Sequence, residues 1–200
     1  MAPANAENLL QQITFIKEID KLKYIQRRTK LFNSDRREND AEHSWHLALM
    51  SIILAEHADH PIDILKVLKM VLIHDLVEID AGDTFIFDTT KSHTNTEEER
   101  IAANRIFGML PAAQGEAFKA IWEEFEAQQT SEAKFARSMD RLEPLLQNAS
   151  NNGGTWAEFN VEYGQVTEKQ NLHRAISASI ADYAENLIEE SVKQGILRKE

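Results

Sequence analysis

The chain has 200 residues, enough for one hydrophobic core and little more. It is 42% hydrophobic and 28% charged, carries 22 basic against 33 acidic residues for a net charge of −11, and contains no cysteine. These values exclude disulfides, thiolate metal sites and iron–sulfur clusters, and they argue against broad binding to nucleic acid polymers or an anionic membrane.

No basic stretch followed by an apolar run opens the chain, so no export signal is expected in residues 1–12. No apolar run approaches the roughly 20 residues of a membrane span. The longest apolar region, residues 67–79, is interrupted by Lys69, His74, Asp75 and Glu78. With no cysteine present, a cytoplasmic location is expected.

Leu9, Ile13 and Ile16 recur at helical spacing, and Leu10 widens the stripe into a first helix. Residues 21–37 then concentrate Lys21, Lys23, Arg27, Arg28, Lys30, Arg36 and Arg37 against Asp35 alone. This stretch is either a solvated basic face or the local patch that a small anion needs on an acidic protein. Residues 33–39 are polar and irregular and read as a loop. A second helix is expected over 40–58, with Leu47, Met50 and Leu54 on one face. Pro61 suits a helix start. The third helix, bearing Ile64, Leu65, Leu68, Val71, Leu72 and Leu76, is apolar most of the way round and belongs at the centre.

Ala81-Gly82-Asp83-Thr84 breaks that helix, and residues 85–95 form a long connection. Thr96 and Glu99 match a capping box that begins a fourth helix, with Pro111 at its end. Phe118, Ile121, Trp122 and Phe125 mark the next apolar face. A further helix over 131–149 ends at Asn151-Asn152-Gly153-Gly154. The remainder, 156–195, is helical with a break near Gly164. No repeat, linker or alternating strand pattern appears. The expected fold is all-α, a single-domain bundle of six to eight helices over residues 1–200.

Chemistry concentrates in the third helix. His74 and Asp75 lie side by side in an apolar segment, and Glu78 falls on the same helical face. Burying an ionised Asp and a His costs several kcal/mol unless something pairs with them, and a divalent cation is an efficient partner. The bland alternative is a helix edge facing water or arginines. His43, near the start of the second helix, and Asp140, within an apolar periodic helix, weigh against it. Pro144 stands four residues after Asp140, so that helix is expected to bend there or begin anew.

The order His43, then His74-Asp75, then Asp140 resembles the HD superfamily of metal phosphohydrolases. The segments Arg37-Glu38-Asn39-Asp40-Ala41-Glu42-His43-Ser44 and His74-Asp75-Leu76-Val77-Glu78-Ile79-Asp80-Ala81-Gly82-Asp83 look like its branch of bacterial 5′-deoxynucleotidases and their eukaryotic relatives. The resemblance spans residues 15–146, and helices over 156–195 are left to complete the bundle. It implies one divalent ion (Mn, Co, Ni, Fe, Mg or Zn) on His43, His74, Asp75 and Asp140. It implies proton handling or positioning by Glu78 and Asp83, with Gly82 letting the backbone turn. In that pattern a substrate-contacting arginine stands where Arg28 is, and spacing alone does not separate Arg28 from Arg27. His46, His57, His60, His93 and His173 match no ligand position. Trp45, Trp122 and Trp156 read as core or interface aromatics.

The implied activity is a phosphomonoesterase acting on nucleoside 5′-monophosphates, with a small phosphorylated substrate and a homodimeric assembly. Alternatives are an HD phosphohydrolase for a phosphodiester, a nucleoside triphosphate or a guanosine pyrophosphate, and a non-catalytic helical interaction protein. One departure stands out. The bacterial branch has tryptophan after the substrate arginine, and here the residue is Thr29, which points to relaxed selection against a 2′-hydroxyl.

Overall fold

Helical periodicity is realised as ten α-helices in a computed structural model that describes residues 2–88 and 96–199, with side chains from residue 6 onward. They are α1 (Ala2–Ile19), α2 (Asp40–Leu54), α3 (Ile64–Ile73), α4 (Glu78–Ala81), α5 (Glu97–Phe107), α6 (Ala112–Ala127), α7 (Ser131–Ser150), α8 (Gly154–Glu158), α9 (Tyr163–Gln170) and α10 (Ala178–Lys193). Short 3-10 turns cover Asp20–Tyr24, Ala55–His57, His74–Val77 and Asn171–Ala175. The number of helices exceeds the expected six to eight because short α4 and α8 join longer neighbours. No helix among the described residues is long and apolar enough to cross a membrane.

Three local departures from expectation shape the site. First, the basic stretch contains a strand, β1 (Gln26–Lys30), paired antiparallel with β2 (Arg37–Asn39). Its sequence lacks alternation, and its order comes from backbone pairing and from charges buried beneath it. Asn39 ends the hairpin and caps α2. Its side chain accepts from the Glu42 amide, and the Glu42 carboxylate accepts from the Asn39 amide. Such a cap contributes about 1 kcal/mol and fixes where α2 starts.

Second, α3 does not run through to residue 81. It ends at Ile73 and tightens into the His74–Val77 turn before α4 resumes. Gly82 then takes φ +77°, where a side chain is strained, and the chain leaves the helix. Third, α7 runs unbroken through Pro144, so no new helix begins there. The side-chain amide of Asn148 donates to the Pro144 carbonyl at 2.9 Å.

Two apolar clusters hold the elements together. One gathers Leu47, Met70, Val71, Phe125, Phe135, Met139, Trp156 and Ile188 from α2, α3, α6, α7, α8 and α10. The other gathers Phe15, Ile73, Leu76, Val77, Ile106, Phe107 and Trp122. The His74–Val77 turn lies at their seam, because Met70 and Val71 belong to one cluster and Ile73, Leu76 and Val77 to the other. The apolar face of residues 156–195 completes the bundle core, as expected: Trp156, Val161, Val166, Ile180 and Ile188 are all buried. Exposed apolar residues stand instead on α1 and α2, including Leu9, Leu10, Ile16, Trp45 and Ile53. The connection 85–95 is described up to residue 88, and His93 lies outside the described residues.

His173 ties the C-terminal helices to α7. Its Nε2–H donates to Gln170 Oε1 at 2.5 Å, and its Nδ1 accepts from the Ser138 hydroxyl at 2.7 Å. Gln170 in turn donates to the Arg141 carbonyl. Burial, aided by Arg141, pushes the imidazole down to about 4. Because the folded value lies below the unfolded one, the unfolded chain binds the extra proton between about pH 6.5 and 4. The stabilisation is therefore whole above pH 6.5 and lost as pH falls towards 4, by about 3 kcal/mol for this group. Urea unfolding of wild type and His173→Gln at pH 7 and pH 4.5 should show a steeper acid loss in wild type. Parallel losses in the two proteins would contradict this account.

Candidate metal centre

Three segments remote in sequence bring the candidate ligands together. The α2 cap sets His43 one turn into its helix. The turn after α3 presents His74 and Asp75, and the middle of α7 presents Asp140. All four side chains are buried. His43 Nε2 lies 3.1 Å from Asp140 Oδ1 and 4.0 Å from Asp75 Oδ2. His74 Nε2 lies 3.0 Å from Asp75 Oδ1 and 3.8 Å from Asp140 Oδ1.

These residues fit a divalent ion by two observations. His74 Nδ1 must donate to the Val71 carbonyl, 3.0 Å away, because that oxygen can only accept. The tautomer leaves a lone pair on Nε2, and this buried atom has no hydrogen-bond partner despite the carboxylate beside it. The spacings also suit a shared centre. Ligands about 2.1 Å from one ion stand about 3.0 Å apart when adjacent in an octahedron and about 4.2 Å apart when opposite.

Without an ion, protons act as the site's cations. Burial and Arg27 press His43 towards neutrality, but Asp140, Glu143 and Glu38 outweigh them and hold its pKa well above the ordinary value. Burial likewise opposes the charge on His74, yet Asp75 and Asp140 raise it to about 9. Burial opposes the Asp75 carboxylate too, and His74 and Arg27 still draw it down to about 2. An incoming cation would displace these protons, as expected where metal and proton compete for the same donors.

Behind His43 stands a carboxylate support that sequence reasoning missed. His43 Nδ1 lies 3.2 Å from Glu143 Oε2 and 3.5 Å from Glu38 Oε2. Glu143 also takes His46 Nδ1 at 3.1 Å, and Gln147 donates to both Glu143 and Glu38. Burial works against the Glu143 charge, but His43 and His46 hold it down to about 2. Burial and Glu143 push Glu38 the other way, upward. The arrangement directs His43 Nδ1–H into a carboxylate and leaves Nε2 for the centre. The available signal was spacing: Asp140, Glu143 and Gln147 lie at i, i+3 and i+7, a polar stripe on an apolar helix.

Glu78 and Asp83 line the cavity beside the centre. Glu78 lies close to Asp40 and Asp75. Burial, Asp75 and Asp40 raise its carboxyl well above the usual range and favour its protonated form. Burial also raises Asp83. Arg27 is committed to the site's own acids, with Nη1 at 3.0 Å from Asp75 and 3.4 Å from Asp40. Arg28 is exposed and lies 6.0 Å from the Phe159 ring. Thr29 is buried at the cavity wall. Among the described residues, His57 and His60 are exposed, and Trp122 and Trp156 are core.

A family model described as the HD domain matches residues 19–180. Over 149 residues the chain is 28% identical to a Bos taurus protein named 5'-deoxynucleotidase HDDC2, covering 74% of this chain and 69% of the relative. The Dictyostelium discoideum protein of the same name is 30% identical over 145 residues, covering 68% and 74%. A solved structure from Magnetospirillum magnetotacticum MS-1, named a predicted metal-dependent phosphohydrolase, superposes with a TM-score of 0.93 at 47% identity, covering 99% of this chain and 100% of that one.

The support behind His43 generates a measurable expectation. Glu143→Gln keeps size and an acceptor but removes the charge, and should weaken divalent-metal affinity roughly 10–100-fold. Titration calorimetry with Mn²⁺ or Co²⁺ reads this directly. An affinity within twofold of wild type would remove Glu143 from the site.

Proposed function

The chain belongs to the HD domain family and is a metal-dependent hydrolase, and we propose that it releases phosphate from nucleoside 5′-monophosphates, deoxy or ribo. The observation that carries the reading is the meeting of His43, His74, Asp75 and Asp140 beside a cavity lined by guanidinium groups. Relatives named 5'-deoxynucleotidase support the nucleotide monoester over other phosphorylated substrates.

In this proposal the four residues hold one divalent ion, which when bound polarises a phosphoryl oxygen and makes water a better nucleophile. The chain's own groups do the rest. Glu78, whose buried carboxyl is favoured in its protonated form and whose Oε2 has no partner, delivers a proton to the leaving ester oxygen and regains one from the attacking water. Asp83, turned back into the cavity after Gly82, positions the attacking water. Arg28 contacts the substrate, since Arg27 is already held by Asp75 and Asp40. At position 29 a small side chain leaves the sugar unobstructed. The aromatic rings that line the cavity are Phe85, Phe87 and Trp122.

Assembly and location follow with less chemistry. We infer a cytoplasmic homodimer, because Leu9, Leu10, Ile13 and Ile16 on α1 form an exposed apolar stripe and the cysteine-free chain suits a reducing compartment.

Metal-loaded protein should hydrolyse AMP and dAMP with kcat/KM values within about 10³ of each other, a limit near 4 kcal/mol of discrimination. Glu78→Ala should keep the metal and lose turnover by about 10²-fold or more. No phosphate release from any nucleoside monophosphate would end the reading, and a Glu78→Ala enzyme at wild-type rate would end the assigned role. Light scattering at micromolar concentration should give twice the monomer mass, and Ile13→Asp should halve it. A wild-type monomer would refute the assembly.

A further inference from the structure

The cavity beside the centre is lined by four guanidinium groups, and their neighbours distinguish them. Arg27 hydrogen-bonds to Asp75 and Asp40. Arg137 donates to Asp140 Oδ2 at 3.2 Å and to Glu126 at 2.7 Å, and lies 4.1 Å from the Phe125 ring. Arg28 is exposed beside Phe159. Arg141 differs from all three. Its side chain is only 18% exposed, it makes no side-chain hydrogen bond among the described residues, and its one ion pair is loose, 3.5 Å to Asp140 Oδ2. That oxygen is already taken by Arg137. The Arg141 guanidinium, with five donors, has no closer protein partner among the described residues and lines the cavity.

The geometry points to Arg141 as the anion anchor of the cavity, the group that receives the phosphoryl oxygens of the substrate. Resting on the phosphomonoesterase reading, this adds a residue that neither the motif nor the family order singles out. Asp140 sets the distance. Its Oδ1 faces His43 and His74, while its Oδ2 faces Arg137 and Arg141. One carboxylate therefore separates the Arg141 fork from the metal centre, and a phosphoryl group spans that width. Asn148, at the same end, is already satisfied. Asn148 Oδ1 accepts from the Thr155 amide and hydroxyl, and Asn148 Nδ2 donates to the Pro144 carbonyl. Arg141 is held in place by its backbone, whose carbonyl accepts from Gln170. Arg27, Arg28 and Arg137 line the same cavity, so an arriving anion meets Arg141 among other guanidinium groups. The planar fork suits two oxygens of one phosphate.

The test uses inorganic phosphate as the probe and the full, metal-loaded chain. Arg141→Gln should weaken phosphate binding at least tenfold and raise KM for AMP by a similar factor, with metal affinity within twofold of wild type. Arg141→Lys, which keeps the charge and loses the fork, should fall between. In wild type, the side-chain Nε–H resonance of Arg141, assigned through its own backbone resonances, should shift as phosphate saturates the site. That measurement does not depend on either variant folding. Phosphate affinity unchanged in a metal-competent Arg141→Gln, or an Nε–H signal unmoved at saturation, would overturn the inference and leave the phosphomonoesterase reading standing. Wild type that neither binds phosphate nor hydrolyses any monoester would remove both.

Discussion

The interaction on which the rest depends is the burial of opposite charges where α2, the turn after α3, and α7 cross. Two histidines and two aspartates share a space from which water is largely removed. Each isolated charge there would cost several kcal/mol, so none is tolerable without the others or without a cation. This constraint explains features that otherwise look unrelated. The hairpin at residues 26–39 brings Arg27 over Asp75 and Asp40. The capping box fixes the start of α2 and hence the depth of His43. Glu38, Glu143 and Gln147 form a second ring of polar contacts that would be unaccountable in a plain helical core.

A division of labour between the carboxylates follows from their surroundings alone. Asp75 and Asp140 stay ionised because imidazolium and guanidinium groups face them. Glu78 faces other acids, and burial and Asp75 raise Asp40 to about 6 although Arg27 opposes the shift. The first pair favours its charge and the second its proton. The two sets meet at Asp75, which lies close to both.

How much of this was legible in the sequence depended on the range of the interactions involved. The capping box at Thr96 and Glu99 is local, and it stands as read. The apolar stripes of α2, α3, α6 and α7 follow from periodicity and were equally plain. The pairing of Lys30 with Arg37 was not, because a short strand without alternation carries no local signal. The turn at His74 replaced a continuous helix since tertiary packing, and not propensity, decided the last turn of α3. Trp156 reads equally as core or interface aromatic from sequence, and packing beside α7 places it in the core with Ile188. For the site itself, motif order brought His43, His74, Asp75 and Asp140 into view, while Glu143 and Arg141 gained meaning only when the opposite helices were placed.

The separation of the segments that carry the candidate ligands has a consequence for the life of the folded chain. The His74 contact to Val71 spans three residues and can form within one helix, but His43 meets Asp140 across 97 residues. A partly folded chain therefore possesses the local half of the cage and not the whole. An ion recognised by all four residues binds the native state selectively, so each tenfold rise in free ion above its dissociation constant deepens the native well by about 1.4 kcal/mol. Sub-global openings that part α7 from α2 become rarer by the same factor. Metal supply would then govern not only how fast the protein works but how long each molecule escapes proteolysis.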